Sequence, residues 1–247
     1  MPGNDCLHAP DFDSIPVTAS GALCHACDIV GGCLASRMME YSGQVGLVRN
    51  NSRVLGQGEN VFRAGGEASA LYVVRSGSVK SYLVTEDGEE QVLGFYLPGD
   101  VLGLDGLGSS ACMSSAITLE TTSICRMLFA QMSEQGCGRV YPKLISDQLA
   151  REHNLILMLA RKDADGKLAS FLWDLSRRFK QIGYAGNAFK LSMSRQDIGN
   201  YLGLVIETVS RTLTRFQESG LLEVSRRTLE IHDLEALKHI AGGQASH

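Results

Sequence analysis

Residues 194–216 read SRQDIGNYLGLVIETVSRTLTRF, two short helical patterns separated by a glycine. Apolar residues fall at Ile198, Leu202, Leu204 and Val209, the inward positions of a helix-turn-helix; Gly199 lets the two helices approach, and Gly203 supplies the tight turn. Ser194, with Asp197 three residues on, is an N-cap and its partner carboxylate at the start of the first helix. The second helix then exposes Val205, Ile206, Glu207, Ser210 and Arg211. Glu207, Ser210 and Arg211 share one face by i, i+3 and i+4 spacing. A carboxylate there accepts from cytosine N4, a hydroxyl touches the neighbouring base, and a guanidinium donates two bonds to guanine O6 and N7. The face therefore reads as one that recognises double-stranded DNA, against the plainer reading of a winged helix used for protein contact.

The flanks agree with a winged helix-turn-helix. Downstream, LLEVS (221–225) and TLEIH (228–232) are two strand patterns joined by Arg226 and Arg227, a wing whose tip arginines meet phosphate. Upstream, a short strand is expected around FKLSM (189–193), preceded by an amphipathic helix over 166–182 with Leu168, Phe171, Leu172, Leu175 and Phe179 on one face. Before it, Ile145, Leu149, Glu152, Ile156 and Leu159 recur at spacings of four, three, four and three, a heptad seam of the kind that pairs helices. In a parallel dimer two copies of Glu152 would oppose one another and make pairing marginal; at the seam's edge the same carboxylate would point to water.

Further upstream the pattern changes to short strands with glycine punctuation: NVFRAGGE, ALYVVRSGSVKSYLV, EDGEEQVLGFYLPGDVLG and SAITLETTSICRML. Asp87-Gly88 marks a hairpin, and the regular spacing of turns predicts a double-sheet jelly roll. The expected fold is α+β: an unassigned tail over 1–20, a cysteine-rich segment over 21–40, a jelly-roll (double-stranded β-helix) sensor domain over 41–136, a dimerisation helix over 137–163, and a winged helix-turn-helix over 164–247.

The segment CHACDIVGGC (24–33) sets Cys24, Cys27 and Cys33 within ten residues. Thiolates bunched this closely, with no secretory signal at the start of the chain, point to a metal or iron-sulfur centre rather than structural disulfides. Three cysteines and one distant thiolate would equally satisfy tetrahedral zinc. Cys125 and Cys112 compete as the distant ligand, and the residues alone leave that choice even. Cys6 and Cys137 read as ordinary thiols and His25 as a solvent-facing residue.

Composition bounds the remainder. The 247 residues, 44% hydrophobic and 20% charged, suffice for two modest domains. The net charge of -4 is a mild objection to nucleic acid, offset by Lys190, Arg195, Arg211, Arg215, Arg226 and Arg227 gathering around the second helix and the wing. No leader pattern appears, and the longest apolar run, 155–160, is too short to span a bilayer, so no membrane association and a cytoplasmic location are expected. A redox enzyme is disfavoured, because no flavin or dinucleotide phosphate loop, triad or paired-acid site is present.

Taken together, CxxCx5C at Cys24, Cys27 and Cys33, Cys125 within LETTSICRM, LSRRF at 175–179 and DIGNYLGLxxETxSR at 197–211 resemble the cyclic-AMP receptor superfamily, and within it the fumarate and nitrate reduction (FNR) branch, from about Gly21 onward. The resemblance implies a [4Fe-4S] cluster held by Cys24, Cys27, Cys33 and Cys125, stable without oxygen and degraded by it. It also implies a homodimer formed through the long helix, which binds TTGAT, four bases, then ATCAA. Glu207, Ser210 and Arg211 match the family's base-reading residues, and sensor-domain loops would contact RNA polymerase. Glu152 stands where relatives carry an acidic residue, usually aspartate, and Asp28 where they often have serine. Leu104 and Ser114 replace the glutamate and arginine with which cyclic-AMP receptors hold ribose and phosphate, so no cyclic nucleotide is expected. The alternative is a zinc or thiol-redox sensor driving the same DNA-binding domain.

Overall fold

The structure is a computed structural model that describes residue 33 and residues 51–134, 141–161 and 163–242. The chain divides into two compact units, Met1–Leu83 with Leu93–Pro142, and Val84–Val92 with Lys143–His247.

The first unit is built from two four-stranded sheets, as the strand pattern predicts. One runs β1 (Asn51–Leu55), β8 (Thr122–Leu128), β3 (Ala70–Ser76), β6 (Val101–Leu102); the other runs β2 (Asn60–Phe62), β7 (Ser115–Thr118), β4 (Val79–Val84), β5 (Glu90–Tyr96). Their shared core holds Leu55, Val61, Ala70, Tyr72, Val74, Val79, Leu102, Ala116 and Ile124. Alternation along β3 turns Ala70, Tyr72 and Val74 into this core and Leu71 and Val73 to the opposite face. Those two are also fully buried, so the β3 sheet is covered on both sides, which is why ALYVV is apolar throughout. Cys125 pairs with Val73 on one side and Ser52 on the other. Cross-strand partners share a face, so Cys125 belongs to this outer, covered surface. The hairpin at Asp87-Gly88 is present, but its loop runs over five residues, closed by Thr85 N donating to Glu89 O at 2.9 Å, with Gly88 at φ 85°. A short helix, α1 (Phe129–Glu134), follows β8.

The long helix α2 spans Tyr141–Leu159, inside the expected 137–163. It buries Leu144 and Met158 and leaves Ile145, Leu149, Ile156 and Leu159 exposed, between 40% and 61% of each. Glu152 is exposed too, accepting a bond from Gln148 Nε2 at 3.1 Å.

In the second unit, α3 (Ala164–Gln181) is capped by Asp163, whose Oδ1 accepts from Gly166 N at 2.6 Å. Its Leu168, Phe171, Leu172 and Leu175 are buried, while Phe179 stacks on Phe189 at 4.7 Å between centroids. Then come β9 (Ala188–Lys190), α4 (Arg195–Leu202), α5 (Ile206–Glu218), β10 (Leu222–Ser225), β11 (Thr228–Ile231) and α6 (Leu234–Ile240). The three strands form one sheet in the order β10-β11-β9. Among the described residues no helix is long and apolar enough to cross a membrane.

Candidate nucleic-acid interface

The turn between α4 and α5 forms for the local reasons its sequence suggests. Ser194 Oγ accepts from Asp197 N at 3.0 Å, and Asp197 Oδ2 accepts from Ser194 N at 3.0 Å, a complete capping box. Gly203 ends α4 at φ 63°, a left-handed conformation that suits glycine. A Cβ on Gly199 would lie 2.5 Å from Leu204 O and 3.5 Å from Val209 Cγ2, so the close helix approach needs the missing side chain. Lys167 Nζ donates to Leu202 O at 3.2 Å, placing a cation at the carbonyl end of α4.

On α5 the buried stripe is Val209, Thr212, Leu213 and Phe216, and the opposite side is offered to solvent. There Ile206, Glu207, Ser210 and Arg211 line a single open depression. Arg211 donates to Thr208 Oγ1 at 3.4 Å, one helical turn back, and Arg195 of α4 donates to Ser210 Oγ at 3.3 Å. Sequence reading missed both supports. The i, i+3 spacing of Thr208 and Arg211 was the available signal for the first; nothing local announces the second. Arg215, counted above among the positive charges around the second helix, is paired with Asp165 at the start of α3. The depression thus combines a cation, a carboxylate, a hydroxyl and the apolar Ile206, with Arg195 held beside it by Ser210, and Val205 at the start of α5 is 64% exposed.

The wing is a β10–β11 hairpin in which Ser225 pairs with Thr228, leaving Arg226 and Arg227 as the whole loop. Both are exposed. Val224 N donates to Gln217 Oε1 at 2.9 Å, which fixes the base of the wing to the end of α5.

Of the expected thiolate ligands, Cys24 and Cys27 lie outside the described residues, as do Cys6, His25 and Cys137. Cys33 is buried and Cys125 half-buried; with Cys112 they carry thiols rather than disulfides. Cys112 is buried, with its Sγ 3.8 Å from Glu67 O. Burial, and then the charge of Asp105, push its thiol above the usual range. A group that resists ionisation is a poor thiolate ligand.

Residues 52–134 match the cyclic nucleotide-binding domain model and residues 166–240 the Crp-like helix-turn-helix domain model. Curated relatives include fumarate and nitrate reduction regulatory proteins of Salmonella typhi and Escherichia coli (strain K12), each 38% identical over 225 residues, covering 89% of this chain and 90% of the relative. Among solved structures, FixK2 from Bradyrhizobium japonicum is 28% identical with a TM-score of 0.71, covering 78% of this chain and 98% of that one. A CooA variant from Carboxydothermus hydrogenoformans, 23% identical with a TM-score of 0.62, covers 83% of this chain and 95% of its own and shares the fold. A two-sheet β unit, a helical segment and a winged helix-turn-helix with an exposed reading face define a DNA-binding transcription regulator of the CRP/FNR type, not an enzyme. Within that class the chain belongs to the fumarate and nitrate reduction regulatory family.

Proposed function

We propose that Cys24, Cys27, Cys33 and Cys125 hold a [4Fe-4S] cluster, and that the cluster-bound chain pairs through α2 and binds duplex DNA of the TTGAT-N4-ATCAA type. The observation that carries the reading is the gathering of Glu207, Ser210 and Arg211 on one exposed depression of α5 in a chain whose relatives are fumarate and nitrate reduction regulators. The donor chemistry fits: four soft thiolates suit iron-sulfur ligation, and the two described ones, Cys33 and Cys125, are shielded from bulk water. A bound cluster would supply a lability that thiols alone lack, forming without oxygen and being degraded by it.

The remaining steps belong to the chain's own residues. Ile145, Leu149, Ile156 and Leu159 give α2 an apolar row for a second copy, and Glu152 opposes its twin across it. Two paired reading helices then face a two-fold DNA site, where Arg211 donates to guanine, Glu207 accepts from cytosine N4, Ser210 touches a neighbouring base, and Arg226 and Arg227 take phosphates. The reading includes RNA polymerase as a partner and a cytoplasmic location. It assigns no cyclic nucleotide to the β unit. Ser114 gives both its N and its Oγ to Asp105 Oδ2, at 2.9 and 2.7 Å, and a carboxylate in that place repels a phosphate.

Purification without oxygen, followed by visible absorbance and assays of iron, acid-labile sulfide and zinc, tests the cofactor. Iron with matching sulfide, lost in air together with DNA affinity, is the expected result. Zinc in their place would leave the DNA-binding reading standing and hand the sensor role to the zinc or thiol alternative.

A further inference from the structure

We infer that Asn200 is a positioning residue for DNA binding: it docks α4, and with it the start of the reading helix α5, on the open edge of β5. This rests on the DNA-binding reading and deepens it, with Asn200 itself making no contact to DNA. β5 is the outer strand of its sheet, after β2, β7 and β4. Thr85 N donates to Glu89 O, so residue 89 faces β4, and alternation turns the polar groups of Glu90 and Val92 off the edge. An uncovered edge of this kind is a template for a further strand. Here one side chain takes the strand's place. Asn200 Nδ2 donates to Glu90 O, Asn200 Oδ1 accepts from Val92 N at 2.6 Å, and Gln91 Nε2 donates to Asn200 O at 3.3 Å. A carboxamide carries a donor and an acceptor side by side, as a peptide group does, so it satisfies both residues flanking Gln91 while Gln91 reaches back to the helix.

The helix-turn-helix packs through other residues. Ile198, Leu202, Val209 and Leu213 fill its interior, whereas the Asn200 side chain bonds to Glu90 and Val92. Residues Val84–Val92 belong with the second unit, and the strands that carry them, β4 and β5, continue into the first as residues 79–83 and 93–96. Asn200 lies in the last turn of α4, three residues before the left-handed Gly203 that leads into α5. Holding it therefore holds the point from which the reading helix starts. The depression lined by Ile206, Glu207, Ser210 and Arg211 stays open while these bonds are made, so the tether orients the reading face without covering it. A helix already held has less freedom to lose on entering the major groove, and the difference appears as affinity.

The test compares the full chain, prepared without oxygen, with Asn200→Ala, Asn200→Asp, Gln91→Ala and the double variant Gln91→Ala/Asn200→Ala. Thermal unfolding, sedimentation, amide exchange over residues 85–96 and binding to two duplexes, one carrying TTGAT-N4-ATCAA and one unrelated, are measured. Asn200→Ala should stay folded and pair as wild type does, with faster exchange at Val92. It should bind both duplexes about threefold to tenfold more weakly, at an unchanged ratio between them, as the docked fraction falls. Asn200→Asp keeps an acceptor for Val92 but sets a carboxylate against Glu90 O, and should lose as much. Gln91→Ala should lose about twofold, and the double variant should be little weaker than Asn200→Ala, because both residues serve one tether. Wild-type affinity in both Asn200→Ala and Gln91→Ala would overturn the inference. Tighter binding would also overturn it and make the tether a brake. A loss in Asn200→Ala with unchanged exchange at Val92 and full affinity in Gln91→Ala would make Asn200 a direct DNA contact instead. Wild-type chain with no affinity for either duplex would sink the DNA-binding reading and this inference together.

Discussion

Gly199 and Arg211 show how single residues divide the work of the helix-turn-helix. Replacing a helical glycine by alanine is ordinarily worth about 1 kcal/mol in the helix's favour. Here the new Cβ would sit 2.5 Å from Leu204 O, a backbone atom that cannot swing aside. Overpacking of this kind costs about 1–3 kcal/mol, so Gly199→Ala should lower the chain's stability in denaturant unfolding despite its better helix propensity. A midpoint equal to or above wild type would mean that the two helices can separate freely. Arg211 has the opposite profile, exposed and held only loosely by Thr208 at 3.4 Å. Arg211→Ala should leave the unfolding midpoint in place and remove the preference for guanine in the half-site, a loss of about 1–3 kcal/mol. Competition binding against half-sites substituted at the guanine pair reads this directly, and a variant that still prefers guanine would move the reading role elsewhere on α5.

At the scale of elements, what the sequence disclosed was local, and what it concealed was tertiary. The α4–α5 turn was legible because its signals lie within a few residues: the Ser194–Asp197 box and the left-handed Gly203. The wing was legible for the same reason. Alternation disclosed the strands but not their order, since β1-β8-β3-β6 brings together segments about seventy residues apart. The Asp87-Gly88 pair announced a hairpin while the loop runs over five residues rather than two, with Thr85 binding Asp87 and Glu89. Arg195 with Ser210, and Cys112 with Glu67, meet only across the folded chain, and no periodicity encodes such meetings. Helix α2 lies between these cases. Its period was readable, and its row of Ile145, Leu149, Ile156 and Leu159 is exposed among the described residues. If a second copy covers it, Glu152 meets its own image, and two carboxylates in partly solvated contact repel by on the order of 1 kcal/mol. Glu152→Ala should therefore raise the association constant of cluster-free chain about fivefold, seen by sedimentation in air. An unchanged monomer fraction would place Glu152 in water and the control of pairing elsewhere.

For the molecule as a whole, the proposed reading has the cysteines act on the second unit from the first, because Cys24, Cys27, Cys33 and Cys125 belong to the first unit and α5 to the second. In the proposed reading DNA affinity follows not the overall charge of -4 but the cations at Arg195, Arg211, Arg226 and Arg227, presented by two copies together. Losing any one of four thiolate ligands should then remove pairing and DNA binding in a single step. Cys24→Ser, Cys27→Ser, Cys33→Ser and Cys125→Ser should each lose iron and acid-labile sulfide and should abolish duplex binding without oxygen. Cys6→Ser and Cys137→Ser should retain both. The decisive comparison is Cys112→Ser against Cys125→Ser. Burial, and then the charge of Asp105, push the Cys112 thiol above its usual range, and the family resemblance gives the fourth ligand to Cys125. Cys112→Ser should therefore keep its iron and its DNA affinity. Iron lost from Cys112→Ser but kept by Cys125→Ser would reverse the ligand assignment, and a full iron complement in both would show that neither residue completes the centre.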